Sequence, residues 1–208
     1  MNVYEGADRA IKIMNRQNLK SFGKLKLIKW DEMNVTRQVE IVYANAVRLA
    51  KQKYYEIAFD AFVTALYLAL VSPKEATKIA DEIITFDWVQ NTLEEVDAVT
   101  LYAFLSETER KKQRLIESLA VAHNKNAEID KALRYWSRQV SQYADNIVYK
   151  ARIQAFMEAG VKKVVWITQD DERVCDSCEP LDGMVFDIEK APGPQHWGCR
   201  CELWPVID

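Results

Sequence analysis

The sequence predicts a mainly α-helical protein that ends in a small β-rich module. Glycine and proline, which most often interrupt regular structure, are nearly absent from residues 24–159, where Pro73 is the one exception. After Gly160 the composition changes, because four of the five prolines, three of the six glycines and all four cysteines fall there. We therefore expect three parts, which are a helical region at residues 1–126, a long connecting helix at 127–160 and an α+β module at 161–208.

Apolar residues at three- and four-residue steps predict the individual helices. Within residues 35–71 this spacing predicts a helix with one buried face. Ser72-Pro73 then favours a new helix start, with Ser72 as the N-cap and Pro73 in the first turn. We also expect a helix over residues 99–122, which stops at residues 124–126. A last long helix is expected over residues 127–159.

The predicted helix at 127–159 carries a heptad-like apolar seam, which requires a partner helix. The seam consists of Ile129, Leu133, Trp136, Val140, Tyr143 and Ile147. We expect it to pack inside the chain's own bundle, and an intermolecular contact is the alternative.

Short segments rich in β-branched and aromatic residues predict the strands of the C-terminal module. They lie at residues 164–168, 184–188 and 203–206. Gly160 supplies the left-handed residue that ends the preceding helix.

Composition argues against several classes of protein. The net charge of −3 predicts no general attraction to nucleic acid or to an anionic membrane. The amino terminus lacks the features of a secretory signal, so a reducing cytosol is the expected site of synthesis. The most apolar stretch, residues 61–71, has about half the ~20 residues that a membrane-spanning helix needs. We therefore expect no membrane association.

The cysteines and one of the two histidines form the strongest motif of the sequence. Cys175-x-x-Cys178 is followed by His196-x-x-Cys199-x-Cys201. Two cysteines separated by two residues can turn both sulfurs toward one ion, and residues two apart in an extended segment share a face. We predict that four of these five side chains bind a structural Zn²⁺, because four such ligands leave no position for a reactive water.

Other interpretations of this motif carry less weight. Two disulfides, or cysteines without any ligand, are alternatives, although a reducing compartment disfavours disulfides. Neither His123 nor His196 lies in a zinc-deaminase motif, and we expect His123 to be an exposed residue at a helix end. The sequence also lacks a glycine-rich phosphate-binding loop. We therefore predict that the protein is not an enzyme, with a metal-dependent hydrolase as the least favoured alternative.

A short basic patch near the amino terminus is a candidate contact with nucleic acid. Lys20, Lys24, Lys26 and Lys29 are followed by Trp30. A patch of this kind is usually a solvated surface, and DNA binding is the alternative interpretation.

The Cys/His motif is part of a longer ordered set of residues between about 141 and 206. In chain order the set comprises a long helix closed by Glu158-Ala159-Gly160-Val161, a strand with Trp166, then Asp171-Glu172-Arg173-Val174-Cys175-x-x-Cys178-x-x-Leu181-x-Gly183, and His196-x-x-Cys199-Arg200-Cys201 with Pro205. This set resembles the Mu F-like head-morphogenesis family, the minor head proteins of tailed bacteriophages. Trp197-Gly198 stands where that family often has Pro-Asn, and the long helix lacks an Arg-Thr-Glu triplet common there.

The resemblance implies a virion component that is present in few copies and joins the phage head during assembly in the host cytoplasm. It implies contacts with the portal protein or the major capsid protein, and a homo-oligomeric arrangement around the portal. It also implies a role near the portal that aids genome packaging or delivery. Packaged DNA is the partner that the basic patch would contact.

Overall fold

The computed structural model describes residues 4–28, 32–168, 176–199 and 201–207, and these residues form six α-helices and one small β-sheet. The helices are α1 (Tyr4–Leu25), α2 (Glu32–Leu68), α3 (Pro73–Ile83), α4 (Phe86–Glu94), α5 (Phe104–Val121) and α6 (Lys125–Glu158). The strands are β1 (Lys163–Ile167), β2 (Val185–Asp187) and β3 (Glu202–Pro205). The predicted class, a mainly helical chain with a small C-terminal sheet, is confirmed. None of the helices in the described residues combines the length and apolar character that a membrane crossing requires.

Helix α6 forms the centre of the helical bundle and packs against α1, α2 and α5. Every seam residue is buried except Leu133, which is partly buried. Trp136 is 1% exposed and meets the ring of Tyr43 edge-on, with 5.8 Å between the ring centroids. The hydroxyl of Tyr54 in α2 donates to the backbone carbonyl of Val140 at 3.0 Å. The seam therefore packs inside the chain's own bundle, as predicted.

The boundary between α2 and α3 combines a confirmed prediction with an unexpected turn. The Ser72 hydroxyl accepts a hydrogen bond from the Glu75 N–H at 3.4 Å, so Ser72 is the N-cap of α3. Helix α2 ends three residues earlier than predicted, because Leu70 has a φ of 63° and the Val71 N–H donates to the Leu66 carbonyl at 3.0 Å. Leucine seldom adopts this left-handed conformation, so its sequence position does not reveal the turn.

The start of α5 differs from the prediction of a helix over 99–122, since α5 begins at Phe104. The buried Asp97 carboxylate accepts hydrogen bonds from the backbone N–H groups of Val99 and Thr100, at 3.1 and 2.6 Å. These bonds hold a turn that competes with the helix. The predicted stop is also shifted, because Asn124 is the N-cap of α6 and Lys125 is already helical.

The C-terminal module contains an antiparallel sheet in the order β2-β1-β3. All three predicted strands are confirmed to within two residues. Val164 and Trp166 of the central strand are buried. Gly160 has a φ of 74° and ends α6, as predicted.

The module is fixed to α6 by polar contacts. Arg152 and Glu202 are 3% and 9% exposed, and their side chains form an ion pair with 3.2 Å between nitrogen and oxygen. The Tyr149 hydroxyl donates to the Ala191 carbonyl at 2.9 Å. The Tyr149 ring also lies beside Gly193, because a Cβ atom added to Gly193 would be 3.7 Å from that ring. The three-part division at 1–126, 127–160 and 161–208 stays a prediction.

Candidate metal centre

The first arm of the site is a tight turn attached to the central strand β1. Cys178 precedes a 3₁₀ turn at Glu179–Leu181, and its carbonyl accepts the Leu181 N–H at 3.0 Å. Gly183 then adopts a φ of 71°, and its N–H donates to the Trp166 carbonyl at 2.8 Å. A glycine is favoured there because side chains strain this backbone conformation. The hydrogen bond to Trp166 fixes the Cys178 turn to β1.

The second arm is the turn that contains His196 and Cys199, just before β3. The Cys199 N–H donates to the His196 carbonyl at 3.2 Å, and Gly198 between them has a φ of 68°. Strand β3 follows at once and pairs with β1, with Leu203 opposite Trp166. Both arms are therefore held by the same strand.

The two arms bring three side chains together. The ligand atoms of Cys178, His196 and Cys199 all lie within 4.8 Å of one another. The two cysteines are 1% and 3% exposed, and the histidine is partly buried. Such a group of soft ligands could hold a metal ion.

The spacing of the two sulfurs fits a shared ion. The Sγ atoms of Cys178 and Cys199 are 3.8 Å apart. A disulfide would need about 2.05 Å, so these two sulfurs are not bonded to each other. Two thiolates at about 2.3 Å from a tetrahedral ion would lie roughly 3.8 Å apart. The observed distance is therefore the edge expected for a tetrahedral site.

A hydrogen bond sets the tautomer of the histidine. His196 Nδ1 lies 2.9 Å from the backbone carbonyl of Trp197. A carbonyl oxygen only accepts, so Nδ1 must carry the proton, and Nε2 of the neutral ring keeps its lone pair. Metal-binding histidines usually make such a bond with the nitrogen that is not a ligand. In this tautomer Nε2 is the ring nitrogen that can bind a metal ion.

The structure brings together three of the five predicted ligands. Cys201 is partly buried directly before β3 and is not part of the triplet formed by described residues. Cys175 lies outside the described residues. The prediction of four ligands from the five candidates therefore stays a prediction with respect to the fourth one.

The remaining predicted site residues lie elsewhere on the surface. His123 is exposed just after α5, as expected for a residue at a helix end. Lys20, Lys24 and Lys26 are exposed, and the Lys26 ammonium lies 2.6 Å from the carboxylate of Asp130. Lys29 and Trp30 lie outside the described residues. The basic patch is thus partly neutralised where it can be described.

Sequence reasoning missed a polar face of α6 that lies beside the apolar seam. Arg138, Gln142 and Asp145 recur on this face at steps of four and three, and Arg152 continues it toward the sheet. Burial is the main cause that raises the pKa of Asp145 to about 7. Polar residues at helical spacing in an otherwise buried helix were the signal that could have revealed this face.

Comparison with known proteins bears on the same part of the chain. Residues 127–204 match the family described as "Phage Mu protein F like protein". Residues 127–204 are a Mu F-like region. The predicted resemblance is thereby confirmed, and the Mu F-like region contains all three side chains of the triplet together with most of α6.

A curated relative supports the match over a shorter length. An uncharacterized protein of Haemophilus influenzae is 39% identical over 56 residues, which cover 24% of this chain and 12% of the relative. The chain therefore spans only a small part of the length of that relative. No solved structure matches the chain.

Proposed function

We propose that the protein is a minor structural component of the head of a tailed bacteriophage, located near the portal, where it aids genome packaging or delivery. The observation that supports this is the match of residues 127–204 to the Mu F-like family, which indicates a role in phage head morphogenesis. The virion head is then the final location, and the host cytoplasm is the place of assembly. The expected partners are the portal protein and the major capsid protein.

We further propose that the triplet binds one Zn²⁺ with a structural role. Cys178 and Cys199 would supply thiolates and His196 would supply Nε2, with Cys175 or Cys201 as the fourth ligand. Bound zinc would contribute coordination bonds that join the two arms of the module. A site with four protein ligands has no open position for a water, so this arrangement favours stability over catalysis.

The attachment of the module to α6 suits a structural role. The buried pair between Arg152 and Glu202 and the bond from Tyr149 to the Ala191 carbonyl connect the module to the bundle. A module held in this way presents its surface at a defined orientation. A partner in the head could then contact the bundle and the module together.

Metal analysis tests the zinc proposal. The purified full chain should contain about one zinc per chain, and Cys178→Ser should lose the metal together with thermal stability. Ser177→Ala is the matched control, because Ser177 is the exposed neighbour of the ligand. Cys175→Ser and Cys201→Ser, compared with each other, identify the fourth ligand. A folded and zinc-free Cys178→Ser variant with unchanged stability would contradict the structural role.

Co-purification tests the assembly proposal. The full chain, co-expressed with the portal and major capsid proteins of the same phage, should be retained by at least one of them. It should also be present in purified heads. Absence from heads, together with no retention by either protein, would overturn the proposal.

DNA binding through the basic patch is a weaker candidate function. Lys20 and Lys24 are exposed and one helical turn apart on α1, whereas Lys26 is paired with Asp130. If the patch contacts packaged DNA, retention on DNA should fall steeply with salt. It should also fall when Lys20 and Lys24 are changed to Gln. Salt-independent retention, or none, would exclude this role.

A further inference from the structure

A cleft of about 770 Å³ lies where the helical bundle meets the second arm of the metal site. Its walls come from α1, α5 and α6, and from Trp197 and Gly198 between His196 and Cys199. Ligand sites often form where structural units meet. The cleft therefore joins the part of the chain outside the Mu F-like region to the region itself.

One face of α6 forms the floor of the cleft and has a charge at each end. Arg138, Gln142 and Asp145 all line it. Residues spaced by four and three lie on one face of a helix, and a separation of seven residues corresponds to about 10 Å along its axis. A cation and an acid thus mark the two ends, with an amide between them.

The amide in the middle has no partner in the part of the chain that the structure describes. Gln142 is 1% exposed, and neither its Oε1 nor its Nε2 makes a hydrogen bond there. The buried Oδ1 of Asn15, which also lines the cleft, has no partner among the described residues either. Each such group destabilises the folded chain if it stays unpaired. Buried polar atoms on a helix that otherwise buries apolar side chains call for hydrogen-bond partners from outside the described residues, either water or a ligand in the cleft.

The charges at the two ends also lack partners within the described residues. Neither Arg138 nor Asp145 forms an ion pair there. The charged groups that act most strongly on Asp145 are two further acids, Asp8 and Asp97. The end near Asp145 therefore favours a cation, and the end near Arg138 favours an anion.

The other charged side chains of the cleft are already engaged. Lys111 lies 3.5 Å from the carboxylate of Glu107 and 4.3 Å from the centre of the Tyr135 ring. Glu107 also binds the guanidinium of Arg110 at 2.7 Å. A polyanion such as nucleic acid would bring phosphates toward Asp145. This charge distribution favours a ligand with one charge of each sign.

Aromatic rings add a further property to the lining. Tyr102, Tyr135 and Trp197 are exposed and contribute to the cleft, whereas the Tyr143 ring beside them is buried. Grooves lined by aromatic residues are a common receptor for peptides in the polyproline II conformation. That conformation has about three residues per turn and a rise of roughly 3.1 Å per residue, so side chains three apart lie on one side at about 9 Å. This spacing matches the distance between the two ends of the α6 face.

We infer that the cleft binds an extended, polyproline II-like segment of a partner protein that carries an acidic and a basic side chain three residues apart. The acid meets Arg138, and the base meets Asp145. The backbone between them presents one N–H and one carbonyl to the amide of Gln142, because polyproline II makes no internal hydrogen bonds. The inference does not depend on the phage assignment, since it specifies the chemistry of the segment and not the identity of its owner.

Peptide binding to the full chain, purified without chelator and measured at about pH 8, where the Asp145 carboxyl with its pKa of about 7 is mostly ionised, tests this inference. The probe is a short, fluorescent, proline-rich peptide with one Glu and one Arg three residues apart, and the comparison peptide has the same composition with the two charges adjacent. We expect saturable binding of the first peptide and at least tenfold weaker binding of the second. The variants Arg138→Gln, Gln142→Met and Asp145→Asn should each weaken binding by about tenfold, which corresponds to roughly 1.4 kcal/mol. Arg134→Gln, at an exposed position on α6 outside the cleft, should leave binding unchanged.

Stability measurements keep the test independent of folding defects. Gln142→Met should unfold at the same or a higher urea concentration than the wild type, because it removes two buried polar atoms that have no partner in the described part of the chain. Absence of binding, equal binding of both peptides, or insensitivity to all three variants would overturn the inference. Tighter binding of a single-stranded oligonucleotide at the same residues would assign the cleft to nucleic acid. Binding of free arginine as tight as that of the peptide would overturn the peptide assignment.

Discussion

The buried ion pair between Arg152 and Glu202 offers a quantitative test of how the module is held on α6. The pair is almost fully shielded from water, and the Arg152 guanidinium also donates to the Leu203 carbonyl. The Trp204 Nε1 donates to the same Glu202 oxygen at 3.2 Å. Glu202→Gln keeps the shape and the acceptor oxygen but removes the charge that compensates Arg152.

We expect Glu202→Gln to lower the free energy of unfolding by about 3 kcal/mol, because it removes the negative charge that lies against the buried Arg152 guanidinium. For a chain of this length that loss corresponds to a decrease in Tm of roughly 6–12 °C. Replacing both partners, as Arg152→Met with Glu202→Leu, should restore most of the loss, since no buried charge remains. Thermal and urea unfolding followed by tryptophan fluorescence measures both effects.

The control is an exposed pair in the same module. Lys190 lies 3.6 Å from Asp187, and their side chains are 79% and 59% exposed. Lys190→Met should change the free energy of unfolding by no more than about 0.5 kcal/mol. If Glu202→Gln has an effect as small as the control, the ion pair does not anchor the module and the reasoning is refuted.

Three further predictions concern single residues. Burial, together with Asp8 and Asp97, raises the pKa of Asp145 to about 7. The free energy of unfolding should therefore fall as the pH rises from about 4 through about 7, because the unfolded chain releases this proton at a lower pH than the folded chain does. Asp145→Asn should remove this decline and add on the order of 4 kcal/mol at pH 8, measured by urea unfolding at both pH values, and an unchanged pH profile would contradict it. Leu70→Gly should stabilise the chain by up to about 1 kcal/mol, because Leu70 is 77% exposed and has a φ of 63°; a loss of stability would disprove the strain. Gly198→Ala should cost about 1–2 kcal/mol, because Gly198 has a φ of 68°. It should also make the proposed zinc easier to remove with a chelator, and equal resistance to the chelator would count against this.

Much of the fold was predictable because local signals agree with the final structure. The cap at Ser72, the left-handed Gly160 and the three strands follow from short-range preferences, and each was confirmed. The errors arose where one residue acts against the local pattern. Asp97 binds backbone N–H groups and delays α5, and Leu70 takes a conformation that its side chain disfavours.

The candidate metal centre was predictable in composition but not in detail. The spacing of the motif indicated the ligand types, because chemistry of this kind requires cysteines and histidine at short intervals. Only the tertiary structure shows that Cys178 and Cys199, distant in sequence, come within 3.8 Å. The sequence could not reveal this because both arms are positioned by pairing to β1, which is a long-range interaction.

The sequence by itself determined the helical class, the strands, the family of residues 127–204 and the ligand candidates. Each depends on residue identity and spacing along the chain. The tertiary structure alone decided that Arg152 is paired with Glu202, and that Gln142 lines a cleft and has no hydrogen-bond partner among the described residues. Burial and pairing depend on which elements pack together, and a polar side chain has the same local preference whether it faces water, an ion partner or a binding cleft.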